Sequence, residues 1–187
     1  ENNYKRAHFK HLLVSPFNMR EITMQLIEAE IENAKAGKKA GIIAKLNNLS
    51  DPEMIEKFYQ ASQAGVHIRL MVRGMFSLLP GVKGMSENIK ATRTVDKYLE
   101  HSRLFIFYAG GNEKYYLSSA DWMPRNLDYR IEVAAPIYDK EIQREIKDFL
   151  AIHWQDSVKA STHSNDTINL RESTNGRKNI RAQDELF

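Results

Sequence analysis

Two short stretches of this chain carry side chains that can do chemistry at a strand end. Glu100-His101-Ser102-Arg103 leads into the apolar Leu104-Phe105-Ile106-Phe107-Tyr108. After a Gly110-Gly111-Asn112 turn, Tyr115-Tyr116-Leu117 runs out into Ser118-Ser119-Ala120-Asp121, with Trp122-Met123-Pro124-Arg125-Asn126 directly behind. A histidine titrates near neutrality, so it can attack, move a proton or hold an anion. An arginine grips oxyanions through two parallel hydrogen bonds and stays charged at any working pH. Taken singly, each part is ordinary: a histidine beside a strand is usually a hydrogen-bonding group, and Ser-Ser-Ala-Asp makes an ordinary turn or helix cap.

The elements needed to hold these groups are readable. Phe9 to Val14 forms a short strand ended by Ser15-Pro16. Asn18 with Glu21 is a capping-box-like start to a helix over about Arg20 to Ala36, with Ile22, Leu26, Ile27, Ile31 and Ala34 on one apolar face. Gly41-Ile42-Ile43-Ala44 is a buried strand that delivers Lys45 and Asn47 to its end. Ser50-Asp51-Pro52-Glu53 is the strongest helix start in the chain, and Val66 to Val72 is a third strand ending at Arg73. Alternating strands and helices imply parallel strands near 9–14, 41–46 and 66–73 joined by right-handed crossovers. Such sheets gather ligands at strand ends, so Lys45, Arg73, His101 and Ser119 are expected around one cleft.

Gly74 to Asn88 is a long loop with Met75, Phe76, Leu78 and Leu79 expected exposed. Ile89 to Thr94 reads as a strand, Val95 to Leu99 as a helical turn and Ile131 to Ile137 as a further strand. Asp139 caps a helix whose buried stripe is Ile142, Ile146, Phe149, Leu150 and Trp154. Residues 1 to 8 are expected to fray, and the polar stretches at Ser161 to Asn165 and Ser173 to Gly176 to form a hairpin tip and a poorly ordered tail. His8 and His11 fall in the first strand and point to opposite faces, so they make no metal site. His67, His153 and His163 read as ordinary.

With 187 residues the chain can bury a core, and 27 basic against 24 acidic residues mostly describe a solvated surface. The absence of cysteine excludes disulfides and thiolate metal sites and fits a reducing compartment. No apolar stretch reaches membrane-span length and no leader opens the chain, so a soluble, cytoplasmic protein is expected.

The spacing His101-x-Arg103, then Ser119-x-Asp121 and an arginine, resembles half of a phospholipase D superfamily site, except that position 109, where that pattern carries Asp, is Ala109. Five ordered blocks carry a closer resemblance: Leu13-Val14-Ser15-Pro16-Phe17-Asn18, Ala44-Lys45-Leu46-Asn47-Asn48-Leu49, Met71-Val72-Arg73-Gly74-Met75, Leu99-Glu100-His101-Ser102-Arg103, and Leu117 to Asn126. Over about residues 9 to 160 they resemble the C-terminal catalytic domain of polyphosphate kinase.

That resemblance implies a phospholipase D-like α/β domain over 1–160, its mixed, mainly parallel sheet flanked by helices. Residues 161–187 would be a polar hairpin and partly disordered tail, and the whole a fragment of a larger enzyme. It implies reversible transfer of the terminal phosphoryl group of ATP to inorganic polyphosphate through a phosphohistidine. Arg73 and His101 match the family's nucleotide-phosphate ligands. His101 matches the second of two facing histidines, the usual phosphohistidine lying upstream, which leaves nucleophile, proton transfer and phosphate ligand open for it. Lys45, Asn47, Arg103, Ser119, Asp121, Arg125 and Arg130 are expected as supporting or polyphosphate-contacting residues. Magnesium is implied, with ligands upstream. Partners are ATP or ADP, polyphosphate and the upstream domains, with no nucleic acid and with homo-oligomerisation left open. Two alternatives remain: a phospholipase D-like phosphodiesterase or nuclease half-site, and a non-catalytic polyanion-binding module.

Overall fold

Strands β2 (Gly41–Leu46) and β3 (His67–Val72) form the centre of the molecule; helices cover both faces of the sheet, burying all of β2 and all of β3 except His67 and Arg69 at its start. The computed structural model describes residues 8–163, 168–170 and 179–186. Around this pair lie β1 (Leu13–Ser15), β4 (Ile89–Thr94), β5 (Arg103–Phe107), β6 (Lys114–Ser118), β7 (Glu132–Ile137), β8 (Ala160–His163) and β9 (Ile168–Leu170). The sheet order is β1-β7-β6-β5-β2-β3-β4-β8-β9. β2 pairs in parallel with β3, and β3 with β4; the other pairings are antiparallel. Read as directions, β1, β2, β3, β4, β6 and β9 run one way and β5, β7 and β8 the other, so the sheet is mixed.

The first strand departs from expectation. It spans three residues instead of 9–14, and it lies at the sheet edge against β7, with Leu13 opposite Ala134, not beside β2. Its direction still matches β2 and β3. Helix α1 (Met19–Lys35) has 17 residues and so spans about 25 Å. That is long enough to cross the three strands between β1 and β2, roughly 19 Å at strand spacing. Asn18 does not make the expected capping box. Its Oδ1 accepts Val14 N at 2.6 Å and its Nδ2 donates to Leu12 O at 3.3 Å, which fastens α1 to β1.

Helix α2 (Pro52–Gln63) starts as its residues dictate, with Asp51 accepting Met54 N at 3.0 Å and proline at the first position. α1 and α2 cover one face, where Trp122 is fully buried between Phe58 and Phe105, with ring centroids 5.3 and 4.6 Å away. Helix α3 (Lys140–Gln155) covers the other, packing Ile146, Phe149, Leu150 and Trp154 on Ile43, Met71, Leu104, Ile106 and Tyr115. Ile142, expected in that stripe, is 46% exposed, because Gln143 turns inward to donate to the Ile137 carbonyl at 2.7 Å.

Two further segments differ. Residues 95–99 form an irregular strap, not a helical turn. In the long loop, Leu78 is buried and Phe76 half-buried, while Met75 and Leu79 are exposed as expected. The loop is fastened by Leu49 N to Met75 O at 2.8 Å and Ser77 N to Leu49 O at 3.0 Å. His8 and His11 precede β1, and His11 Nδ1 lies 3.0 Å from the Tyr138 hydroxyl. At the C-terminus, β8 and β9 extend the sheet, and helix α4 (Ala182–Leu186) packs down with Ala182 and Gln183 buried. Of residues 1 to 8, expected to fray, 1–7 lie outside the described residues; of the expected hairpin tip at 161–165, residues 161–163 belong to β8 and 164–165 lie outside the described residues, as does the polar stretch 173–176. No helix among those described is long and apolar enough to cross a membrane.

Candidate functional site

Strands β2 and β3 end, and β5 begins, at one rim of the sheet, and this brings Lys45, Asn47, Arg73, His101 and Arg103 together. The chain can leave β3 there because residue 74 is glycine: a Cβ on it would sit 2.5 Å from Asn48 Oδ1 and 2.7 Å from the Asn47 carbonyl. Gly74 N donates to that carbonyl at 2.8 Å, so Arg73 is held down across the end of β2.

The Arg73 guanidinium is fixed on one side and open on the other. Its Nε donates to Asn47 Oδ1 at 2.6 Å and to the Glu100 carbonyl at 2.7 Å. Its Nη2 lies 3.1 Å from Nδ1 of the exposed His101. Asn47 is 3% exposed, and its Nδ2 has no partner among the described residues.

Asp121 supports this arrangement from below. Its buried carboxylate accepts Asn47 N and Asn48 Nδ2, each at 2.8 Å, and Arg103 through Nε at 3.0 Å and Nη2 at 3.3 Å. Arg103 Nη1 also donates to the His101 carbonyl at 2.9 Å. Burial alone would raise the Asp121 carboxyl, but Arg103 and the two asparagines outweigh it and hold it below the usual carboxylate range. Asp121 and Arg103 therefore form a foundation under both Asn47 and His101.

Lys45 points into the protein. Its ammonium lies 3.1 Å from Glu100 Oε2 and 3.0 Å from Ser102 Oγ, over the Phe149 ring. Burial lowers its pKa, partly offset by Glu100. The Glu100 carboxylate also meets His153 Nε2 at 2.9 Å and Gln183 Nε2 at 3.0 Å. Burial would raise Glu100, but His153, Gln183 and Lys45 hold it at about 2.

A depressed carboxyl stabilises the fold fully above its unfolded pKa of 4.5, and this contribution is lost as the pH falls through about 2. Glu100→Gln should therefore lower the urea midpoint near pH 6, with the gap to wild type closing between pH 4.5 and 2. A gap constant across that range would contradict the ionised Glu100 cluster.

The remaining expected residues sit apart from this cluster. Ser119 lies at the same rim on the neighbouring strand, but its hydroxyl bonds Glu132 and accepts Val133 N at 3.1 Å, facing β7. Arg125 and Arg130 are exposed, and they meet through backbone, Arg130 N to Arg125 O at 2.9 Å. The turn at Gly110 and Gly111, at positive φ of 65° and 111°, joins β5 to β6 at the opposite end of the sheet. Ala109, where the phospholipase D pattern has its acid, is there too, donating its N–H to Glu30 at 2.6 Å.

Glu100, Glu132, His153 and Gln183 were not singled out from sequence. His153 had a signal, since it lies three residues past the buried Leu150 on the inner face of α3. Gln183 had none, because it reaches Glu100 from 83 residues away.

A family model described as polyphosphate kinase C-terminal domain 2 matches residues 12–183. The chain belongs to this polyphosphate kinase domain family. It is 46% identical over 187 residues to a polyphosphate kinase of Vibrio parahaemolyticus and 45% identical to one of Escherichia coli strain K12. In both cases all of this chain is covered, but only 27% of the relative. The crystal structure of polyphosphate kinase from Porphyromonas gingivalis superposes with a TM-score of 0.92 at 45% identity, covering 96% of this chain and 28% of that one. Nuc from Salmonella typhimurium, a phospholipase D family member, matches with a TM-score of 0.58 at 16% identity, over 82% of this chain and 97% of that one. At that identity the likeness is one of fold: the polyphosphate kinase domain is built on a phospholipase D-like α/β sheet.

Proposed function

We propose that this domain binds the phosphates of ATP within a polyphosphate kinase. In the longer chain, the terminal phosphoryl group passes reversibly to inorganic polyphosphate through a histidine that this domain does not supply. The observation that carries the reading is the 3.1 Å contact between Arg73 Nη2 and His101 Nδ1. A guanidinium is only a donor, so Nδ1 must accept, and the ring proton then sits on Nε2. An attacking imidazole needs a bare lone pair on its outward nitrogen. An Nε2–H is instead suited to donate to a phosphate oxygen or to pass it a proton as charge develops.

Arg73 supplies the charge that such oxygens need, and Asn47 Oδ1 beside it fixes the guanidinium by accepting Nε at 2.6 Å. Lys45 is committed to Glu100 and acts indirectly in this reading. Ser119, Arg125 and Arg130, at the same rim and on the helical turn after it, are candidates for the polyphosphate chain.

Magnesium would partly neutralise the phosphates of ATP. The described residues do not fit the ion: Glu100 and Asp121 are taken by cations and amides, and no three His, Asp or Glu side chains among them group as a metal site requires. Its ligands are proposed in the upstream part of the enzyme, and the setting in the cytoplasm. γ-labelled ATP given to the full-length enzyme tests the reading. Label should appear in growing polyphosphate. Cleavage of phosphodiesters, or ATP binding without turnover, would replace it with one of the two alternatives.

A further inference from the structure

The strap from β4 to β5 carries Glu100 and His101 yet has no regular structure of its own. What holds it comes from the far end of the chain. Gln183, 3% exposed on α4, accepts Tyr98 N at 2.8 Å, donates to Tyr98 O at 2.7 Å and donates to Glu100 Oε1 at 3.0 Å. With Lys45 and His153 on Oε2, both carboxylate oxygens of Glu100 are then occupied. The carbonyl of the same residue accepts Arg73 Nε, and the next residue is His101.

We propose that Gln183 is a positioning residue for the Arg73–His101 pair, acting through the strap and Glu100. The role rests on reading that pair as the nucleotide-phosphate site. Gln183 is not what anchors its own helix. Ala182 N bonds Asp156 at 2.8 Å and Ser157 N bonds the Ile180 carbonyl at 2.8 Å, both away from the strap, while Arg181 pairs at 2.7 Å with Asp96 near the strap's start. Every bond recorded for the Gln183 side chain goes to the strap instead. Without them, α4 keeps its tethers, while Glu100 can rotate on its Lys45 and His153 contacts. The carbonyl under Arg73 Nε then shifts, and the bond from Arg73 to His101 loosens.

The test uses the full-length polyphosphate kinase carrying Gln183→Ala or Gln183→Glu. The second variant keeps the size and the acceptor for Tyr98 N, loses both donated bonds and sets a carboxylate against Glu100. Three quantities are read: ATP kinetics, the thermal midpoint, and the rate at which each histidine is carbethoxylated by diethyl pyrocarbonate, resolved by peptide mass spectrometry. That reagent needs an unprotonated ring nitrogen with a free lone pair, which Arg73 denies at His101 Nδ1.

Gln183→Ala should raise KM for ATP roughly 10-fold, the scale of a lost hydrogen bond to a charged group, with a smaller change in kcat. His101 should react several-fold faster while the exposed His67 keeps its rate, and Gln183→Glu should exceed Gln183→Ala in both effects. KM and His101 reactivity both within about twofold of wild type would overturn the proposal. So would a lowered midpoint with His67 and His101 accelerating together, since that marks a purely structural glutamine. Arg73→Ala, measured alongside, separates the two layers. If it leaves ATP kinetics unchanged, the phosphate-site reading fails, and His101 reactivity still tests the coupling. If it weakens ATP use while the Gln183 variants do not, the positioning role alone fails.

Discussion

Asp121→Ala is expected to cost the domain about 3 to 5 kcal/mol, a large part of the roughly 5 to 15 kcal/mol that holds an ordinary domain folded. The carboxylate is 6% exposed and accepts four hydrogen bonds, two of them from the half-buried Arg103. Its removal leaves that guanidinium, among the described residues, with the His101 carbonyl alone, and strips Asn47 N and Asn48 Nδ2 of their Asp121 partner. An uncompensated buried charge costs more than the pair itself contributes, which is why truncating one partner is so damaging. Asp121→Asn keeps the shape but turns a donor toward the Arg103 or Asn48 donors, so it should lose most of the same stability. A drop in the urea midpoint at unchanged slope is the expected signature. A loss under about 1 kcal/mol in both variants would mean that the hub does not form.

Arg73→Ala in the full-length enzyme is expected to cost about 1.5 to 3 kcal/mol of ATP interaction, roughly 10- to 150-fold in affinity or rate. It removes the charge proposed to meet the phosphates and the donor to His101 Nδ1, and it leaves Asn47 Oδ1 and the Glu100 carbonyl without their Arg73 donor. Arg73→Lys should restore only part of this. An ammonium can replace the charge, but it cannot bond Asn47, Glu100 and His101 at once with the fixed fork of a guanidinium. ATP kinetics unchanged in both variants would remove Arg73 from the site.

The parts legible in the sequence are those that local physics decides. The Asp51-Pro52 helix start, the buried β2, the strand β3, and the apolar stripes of α1 and α3 follow from capping and periodicity, and the residues at their ends follow with them. That Lys45, Asn47, Arg73 and His101 share one rim was readable because strand ends of an open sheet converge, whereas the choice of Arg73 and His101 as phosphate ligands came from the family resemblance. The parts that did not show depend on distant pairing. The place of β1 at the sheet edge did not show, because nothing in a short apolar run says how many strands a crossover helix will pass. The strap at 95–99 appeared as a helical turn because the glutamine that takes its backbone bonds lies beyond residue 180. Lys45 appeared at the cleft because Glu100, whose carboxylate pairs with it, comes from another element. Ser119 appeared in the cleft because the glutamate that draws its hydroxyl toward β7 could not be placed from sequence.

The central claim is that His101 presents a proton to phosphate and does not carry the phosphoryl group. Full-length enzyme with His101→Ala, incubated with γ-labelled ATP and magnesium, tests it most directly. The acid-labile label should still form, on a peptide outside the 187 residues of this chain, while ATP binding weakens roughly 10-fold for the lost charge-assisted contact. Label mapped to His101 in the wild type, and abolished in the variant, would contradict it and make this domain the source of the nucleophile.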